Sequence, residues 1–107
     1  MTRELKLTIL LIKEGPLWVA QCLEHDIAAQ GGTIDETMDA FGVVLTAQLV
    51  MDYEAGREPL AELQPAPRAY WEQLEDAKAL QEAPTLPLPD FVPPAWICPV
   101  QPELRVR

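Results

Sequence analysis

No serine occurs anywhere in this chain of 107 residues, and it has a single histidine, His25. Hydrolysis by a Ser-His-acid arrangement is excluded on that count alone. The remaining nucleophile pairing, Cys22 with His25, is disfavoured because residues three apart on a strand point to opposite faces. Metal ligation has no better basis. Glu24, His25 and Asp26 are consecutive and cannot converge on one ion unaided. No catalytic, metal or cofactor site is expected, and His25 reads as a turn residue at a hairpin end.

Long apolar runs are also missing. The longest, Leu7 to Ile12, is interrupted by Thr8 and falls far short of the ~20 residues of a membrane span. The opening, MTRELKLTIL, interleaves acid and base and lacks a small-residue cleavage site. It does not read as a signal peptide, and a cytoplasmic location is expected. Cysteine is scarce: Cys22 and Cys98 lie far apart and are expected to be reduced, buried thiols. Positive charge is scarce as well. Eight basic residues face seventeen acids, for a formal charge of −9. Arg3, Lys6, Lys13, Arg57, Arg68, Lys78, Arg105 and Arg107 are scattered and form no stripe, which argues against a nucleic-acid surface. A basic protein partner suits such a chain through electrostatic steering, although acidity also serves solubility.

Apolar residues make up 49% of the chain, enough for one globular domain and too few residues overall for two. ELKLTILLIKEG alternates as a strand, with Leu5, Leu7, Ile9 and Leu11 opposite Lys6, Thr8 and Leu10. Glu14-Gly15-Pro16 is a turn. LWVAQCLEH alternates again, with Leu17, Val19, Gln21 and Leu23 opposite Trp18, Ala20 and Cys22, so the two form an antiparallel hairpin. DIAAQ is a third, shorter strand, whose small side chains suit close packing beneath a helix.

The stretch QGGTIDETMDAF opens that helix. Thr33 is a good N-cap, and Glu36 completes a T-x-x-E capping box. Ile34, Met38, Phe41, Leu45 and Leu49 recur at helical spacing as an apolar stripe for the sheet. Gly56 is the expected C-terminal cap. Two glycines before a helix can cradle a phosphate, but Asp35, Glu36 and Asp39 would repel one here. The Walker lysine and the G-x-G-x-x-G spacing are absent too. These glycines read as a corner.

The second half changes character. APRAYWEQLEDAKALQEA is a shorter amphipathic helix, with Pro67 in its first turn and Tyr70, Leu74, Ala77 and Leu80 or Gln81 inward. Tyr70 and Trp71 read as core or interface. From Pro84, prolines alternate with apolar residues in an extended arm expected to lie on an apolar surface of its own chain or a neighbour's. Uncovered, Phe91, Trp96 and Ile97 would form a patch rare on monomers, so a homo-oligomer, dimer or larger, is expected with these residues at the contact. ELRVR alternates at the end as a candidate edge strand. The fold class expected is α+β: an antiparallel β-β-β-α unit over residues 1–56, then the second helix, proline-rich arm and terminal strand over 57–107, within one structural domain.

The order of elements, with LWVAQCLEHDIAAQGGTIDETMDAF, resembles the HicB antitoxin family and its HicB-like relatives. In that family a strand such as WVAQC leads to a Q-G-x-T-hydrophobic-x-E-A element. Here that element is Gln30, Gly31, Gly32, Thr33, Ile34, Asp35 and Glu36, with Thr37 where alanine is usual. The resemblance covers residues ~5–55 and its motif overlaps ordinary capping grammar. It implies a partial ribonuclease-H-type β-β-β-α-β fold. It also implies a protein-binding role: neutralising a small, basic, HicA-type RNA-cleaving toxin. Such antitoxins usually add a C-terminal DNA-binding module. This chain has the Trp71 helix and the proline arm in its place, so no DNA binding is expected. Ribonuclease-H catalysis needs converging carboxylates that the first strand does not offer in its middle. The acids placed to meet a basic partner are Glu24 with Asp26, and Asp35 with Asp39. The alternative is an orphan homo-oligomeric structural or small-molecule-sensing module without a toxin partner.

Overall fold

The chain is α+β, as its patterning implies. The structure, a computed structural model, describes residues 5–79 and 100–106. β1 spans Leu5–Glu14, β2 Leu17–Cys22 and β3 Ala28–Gly31. α1 follows over Ile34–Glu54, then α2 over Arg68–Leu74, β4 over Lys78–Ala79 and β5 over Val100–Val106. The five strands form one sheet in the order β3-β2-β1-β5-β4. β1 pairs antiparallel with β2, from Ile9 opposite Cys22 to Glu14 opposite Leu17. Gly15, at φ +59, supplies the left-handed turn between them.

Strand alternation sends β1 into two cores. Leu7, Ile9 and Leu11 join Ala20, Cys22, Met38, Phe41, Leu45 and Leu49 under α1. Leu10 packs with Leu23 and Ala66 on the other face, against half-buried Ile12, Tyr70, Leu74 and Ala77. The sheet is thus covered by a long helix on one side and a short one on the other. β1, apolar on both faces, is its central strand, which is why the pattern LKLTILLI carries leucine at both parities.

The terminal strand is present, but at more than the edge expected of it. β5 runs parallel to β1, with Leu5 opposite Val100 and Leu11 opposite Val106. Its outer side is taken by β4, where Lys78 faces Val106 and Ala79 faces Arg105. β4 also corrects the second helix, which patterning extends to about Ala83. α2 stops at Leu74, and the chain turns through Asp76 and Ala77, whose amides donate to Gln73 and Leu74 carbonyls. Pairing along the open side of β5 satisfies backbone groups that another helical turn would leave the sheet without, and so overrides helix propensity. Tyr70, Leu74 and Ala77 still face inward; Pro67 is the N-cap and not a first-turn residue. Leu80, Gln81, Cys98 and the proposed arm contacts Phe91, Trp96 and Ile97 lie outside the described residues.

Between the helices, residues 57–66 cross from one face of the sheet to the other. Leu60 is buried in the α1 core and Ala66 in the α2 core. This strap bonds onto the β2–β3 corner: Asp26 N–H donates to Gln64 O at 2.7 Å, and Ala66 N–H to Leu23 O at 2.9 Å.

Candidate functional site

The glycine corner is built as a helix start. Thr33 Oγ1 accepts from Glu36 N–H at 3.1 Å, and Glu36 Oε2 accepts from Gly32 N–H at 3.1 Å. The reciprocal box thus reaches one residue further back than the usual N-cap amide. A Cβ on Gly31 would lie 2.7 Å from Thr37 N and 2.9 Å from Thr37 Oγ1, so Gly31 exists for close approach of strand to helix. With a carboxylate already holding the Gly32 amide, the corner repels a phosphate.

The other end of α1 is closed by glycine as the sequence suggests. Gly56 (φ +70) donates to Tyr53 O and Arg57 N–H to Asp52 O, the paired bonds of a Schellman motif. Sequence reasoning missed the carboxylate beneath it. Asp52 is fully buried, accepting from Gln48 Nε2 and Arg57 Nε at 3.1 Å and from Leu60 N–H at 2.8 Å. A signal was there: Asp52 stands three residues past Leu49, in line with the inward stripe. An acid on that line needs donors, and the following turn supplies them.

The acids proposed for a partner divide into two places. Glu24 and Asp26 stand in the corner between β2 and β3, whereas Asp35 and Asp39 stand on the first turns of α1. Glu24 is half-buried, and both its oxygens accept from Thr8: Oε1 from the amide at 2.7 Å and Oε2 from the hydroxyl at 2.6 Å. Its task is to hold the β2–β3 corner to β1. Asp26 is exposed, and Oδ1 accepts from Gln21 Nε2 at 2.9 Å. Asp35, Glu36 and Asp39 are exposed on α1.

His25 lies in that same corner, with its carbonyl accepting from Ile27 N–H at 2.7 Å. Its Nδ1 is buried without a hydrogen-bond partner. Cys22 is a free, buried thiol whose Sγ donates to Glu24 Oε1 at 3.8 Å. Burial, reinforced by the Glu24 charge, pushes the thiol up to about 11, so it stays protonated at neutral pH and is a poor nucleophile. Among the described residues, no three His, Cys, Asp or Glu side chains gather as a metal site. No helix among them is long and apolar enough to cross a membrane.

What patterning overlooked is the outer side of α1. From Ala40 to Met51 the helix carries no charge. Its inward stripe is buried, yet Val43 is 65% exposed, Val44 41% and Met51 52%. Ala40, Val44, Ala47 and Met51 follow at four-, three- and four-residue spacing, which aligns them along one side. A helix apolar all round normally has a neighbour on its second face. Around this stripe stand Glu36, Asp39 and Glu54, and α1 holds no lysine, arginine or histidine. The imbalance extends beyond the helix: from Glu14 to Gly56 the chain contains no lysine or arginine at all. No family model, curated protein or solved structure matches this chain.

Proposed function

We propose that this chain is a non-enzymatic, HicB-like protein-binding module, acting in the cytoplasm as an antitoxin for a small basic RNA-cleaving toxin. The observation that carries the reading is the acidic, apolar-centred surface of α1, held at its start by the Gly31–Glu36 corner. Further support comes from the β-β-β-α order closed by a strand parallel to β1, compatible with the partial ribonuclease-H arrangement that the sequence resemblance implies. The protonated Cys22 and the absence of serine disfavour a thiol or serine hydrolase. An acidic protein would capture a basic nuclease by steering it, then cover the cationic surface with which it holds RNA.

The test is inhibition. Where an adjacent reading frame encodes a basic chain, that chain is purified and its RNA cleavage followed while this protein is added. The reading expects cleavage to cease near equimolar ratio and the two chains to co-elute. Unchanged cleavage with separate elution overturns it.

A second reading, an orphan homo-oligomer without a toxin, is favoured by one observation, the same exposed stripe of Val43, Val44 and Met51. Sedimentation separates the two: a stable oligomer that ignores the basic chain selects the orphan reading.

A further inference from the structure

We propose that the outward face of α1, centred on Val43, Val44, Ala47 and Met51, is the docking face for a different protein: one that presents an apolar patch ringed by lysine or arginine. The inference rests on the protein-binding reading above and assigns that function to one surface. Two independent observations meet there.

The first is apolar exposure on one face, with Ala40, Val44, Ala47 and Met51 in line and Val43 to one side of them. Val43, Val44 and Met51 are large and exposed, while Ala40 and Ala47 leave room for a partner's side chains between them. From Ala40 to Met51 the line runs about 16 Å along the helix at ~1.5 Å per residue. The sheet already holds the opposite side of α1, and α2 lies across the sheet, so neither covers this one.

The second is charge, and it selects the occupant. The rim consists of Glu36 and Asp39 toward the N-terminus and Glu54 toward the C-terminus, with no cation on the helix. A second copy packed there would set acid against acid in either orientation, with no basic residue of α1 to answer it. An anionic partner, nucleic acid included, meets the same repulsion. A surface with an apolar centre and basic rim satisfies both features together, burying the stripe and pairing the rim.

The experiment uses the full chain, with a short amphipathic helical peptide of leucine and lysine as the probe. Backbone amide shifts are followed by NMR at low and high salt. The proposal expects shifts confined to α1 between Glu36 and Glu54, with binding weakened as salt rises. Val43→Gln/Met51→Gln removes the apolar centre at exposed positions, so it leaves the fold intact and the charge unchanged. It is expected to weaken binding roughly tenfold or more while the salt dependence persists. Asp39→Asn/Glu54→Gln is expected to flatten the salt dependence. Shifts centred on Trp71 and α2, equal affinity for Val43→Gln/Met51→Gln, or sedimentation showing the face closed by a second copy would each overturn it. The two claims fail separately. A peptide that binds α1 beside an unbound neighbouring chain sinks only the antitoxin reading. A neighbouring chain held equally by wild type and Val43→Gln/Met51→Gln sinks only the docking face.

Discussion

Asp52 holds Leu60 in a left-handed conformation: its Oδ2 accepts from the Leu60 amide at 2.8 Å, both residues are fully buried, and Leu60 has φ 61. A non-glycine residue in that region costs about 1 kcal/mol or more, and it persists where surrounding structure over-determines it. Here the carboxylate fixes the amide, and the leucine side chain enters the core beside Phe41 and Leu45. One buried acid thus turns the chain out of α1 and launches the strap that reaches the far face of the sheet.

Removing that acid is therefore expected to cost more than a surface substitution. Asp52→Ala leaves the Leu60 amide unpaired in the core and releases Arg57, for a loss of about 2–4 kcal/mol. Leu60→Gly relieves the backbone strain yet empties the core position, with a net loss of about 1–4 kcal/mol. Urea unfolding monitored by far-UV circular dichroism measures both.

The two corner glycines are expected to respond unequally to alanine. At Gly31 the new Cβ would press on the Thr37 backbone at 2.7 Å, so strand and helix start must separate. A loss of about 1–3 kcal/mol follows, as for other overpacked sites. At Gly32 the Cβ meets only Glu36 Oε2 at 3.1 Å, the far end of a flexible side chain. Gly32→Ala is expected to stay within about 1 kcal/mol of wild type. Thermal unfolding of the pair checks the contrast.

Cys22 sets an alkaline limit. Its folded-state pKa is raised, from 9.0 to about 11, chiefly by burial. The stability this represents is complete below pH 9 and is lost as pH climbs through about 11, because the unfolded thiol ionises first. The full span corresponds to about 2–3 kcal/mol at 1.36 kcal/mol per unit. Stability measured against pH for wild type and Cys22→Ala should diverge only above about pH 9, with the variant losing less. In a Cys98→Ala background, alkylation of Cys22 at pH 8 should be far slower than that of a small-molecule thiol.

Glu24 and the α1 acids are expected to separate structure from steering. Glu24→Ala orphans the Thr8 amide and hydroxyl and should cost about 1–3 kcal/mol in stability. It should leave association with a basic partner nearly unchanged. Asp35→Asn/Asp39→Asn should do the reverse, with stability shifted by about 1 kcal/mol or less. Denaturant midpoints beside stopped-flow rates distinguish the two behaviours.

Much of the fold was legible because local and tertiary signals agree. The two parities of LKLTILLI and the Thr33–Glu36 box specify the elements they form, and DIAAQ marks the third strand, which begins two residues later than that stretch, at Ala28. Of the stripe, Met38, Phe41, Leu45 and Leu49 are buried as their spacing requires, and Ile34 at its start is half-buried. Legibility failed where a distant partner decided the outcome. Lys78 and Ala79 read as helix, and only the open side of β5 makes them a strand. Glu24 reads as a surface acid, and only Thr8, sixteen residues earlier, draws it inward. In the site, Asp35 and Asp39 read correctly as exposed acids. The apolar face beside them escaped notice because Val43, Val44 and Met51 blend into a helix already rich in core residues.

The central claim is that the acidic, apolar face of α1 captures a basic protein. It is tested most directly by the association rate of a basic partner chain with wild type and with Asp39→Lys/Glu54→Lys, at low and at physiological salt. Both acids are exposed, so the reversal should leave the fold intact. The account predicts association slowed roughly tenfold or more at low salt, with a much flatter salt dependence and little change in dissociation. An association rate unchanged by the reversal, with the complex still formed, would contradict it and place the interface elsewhere on the chain.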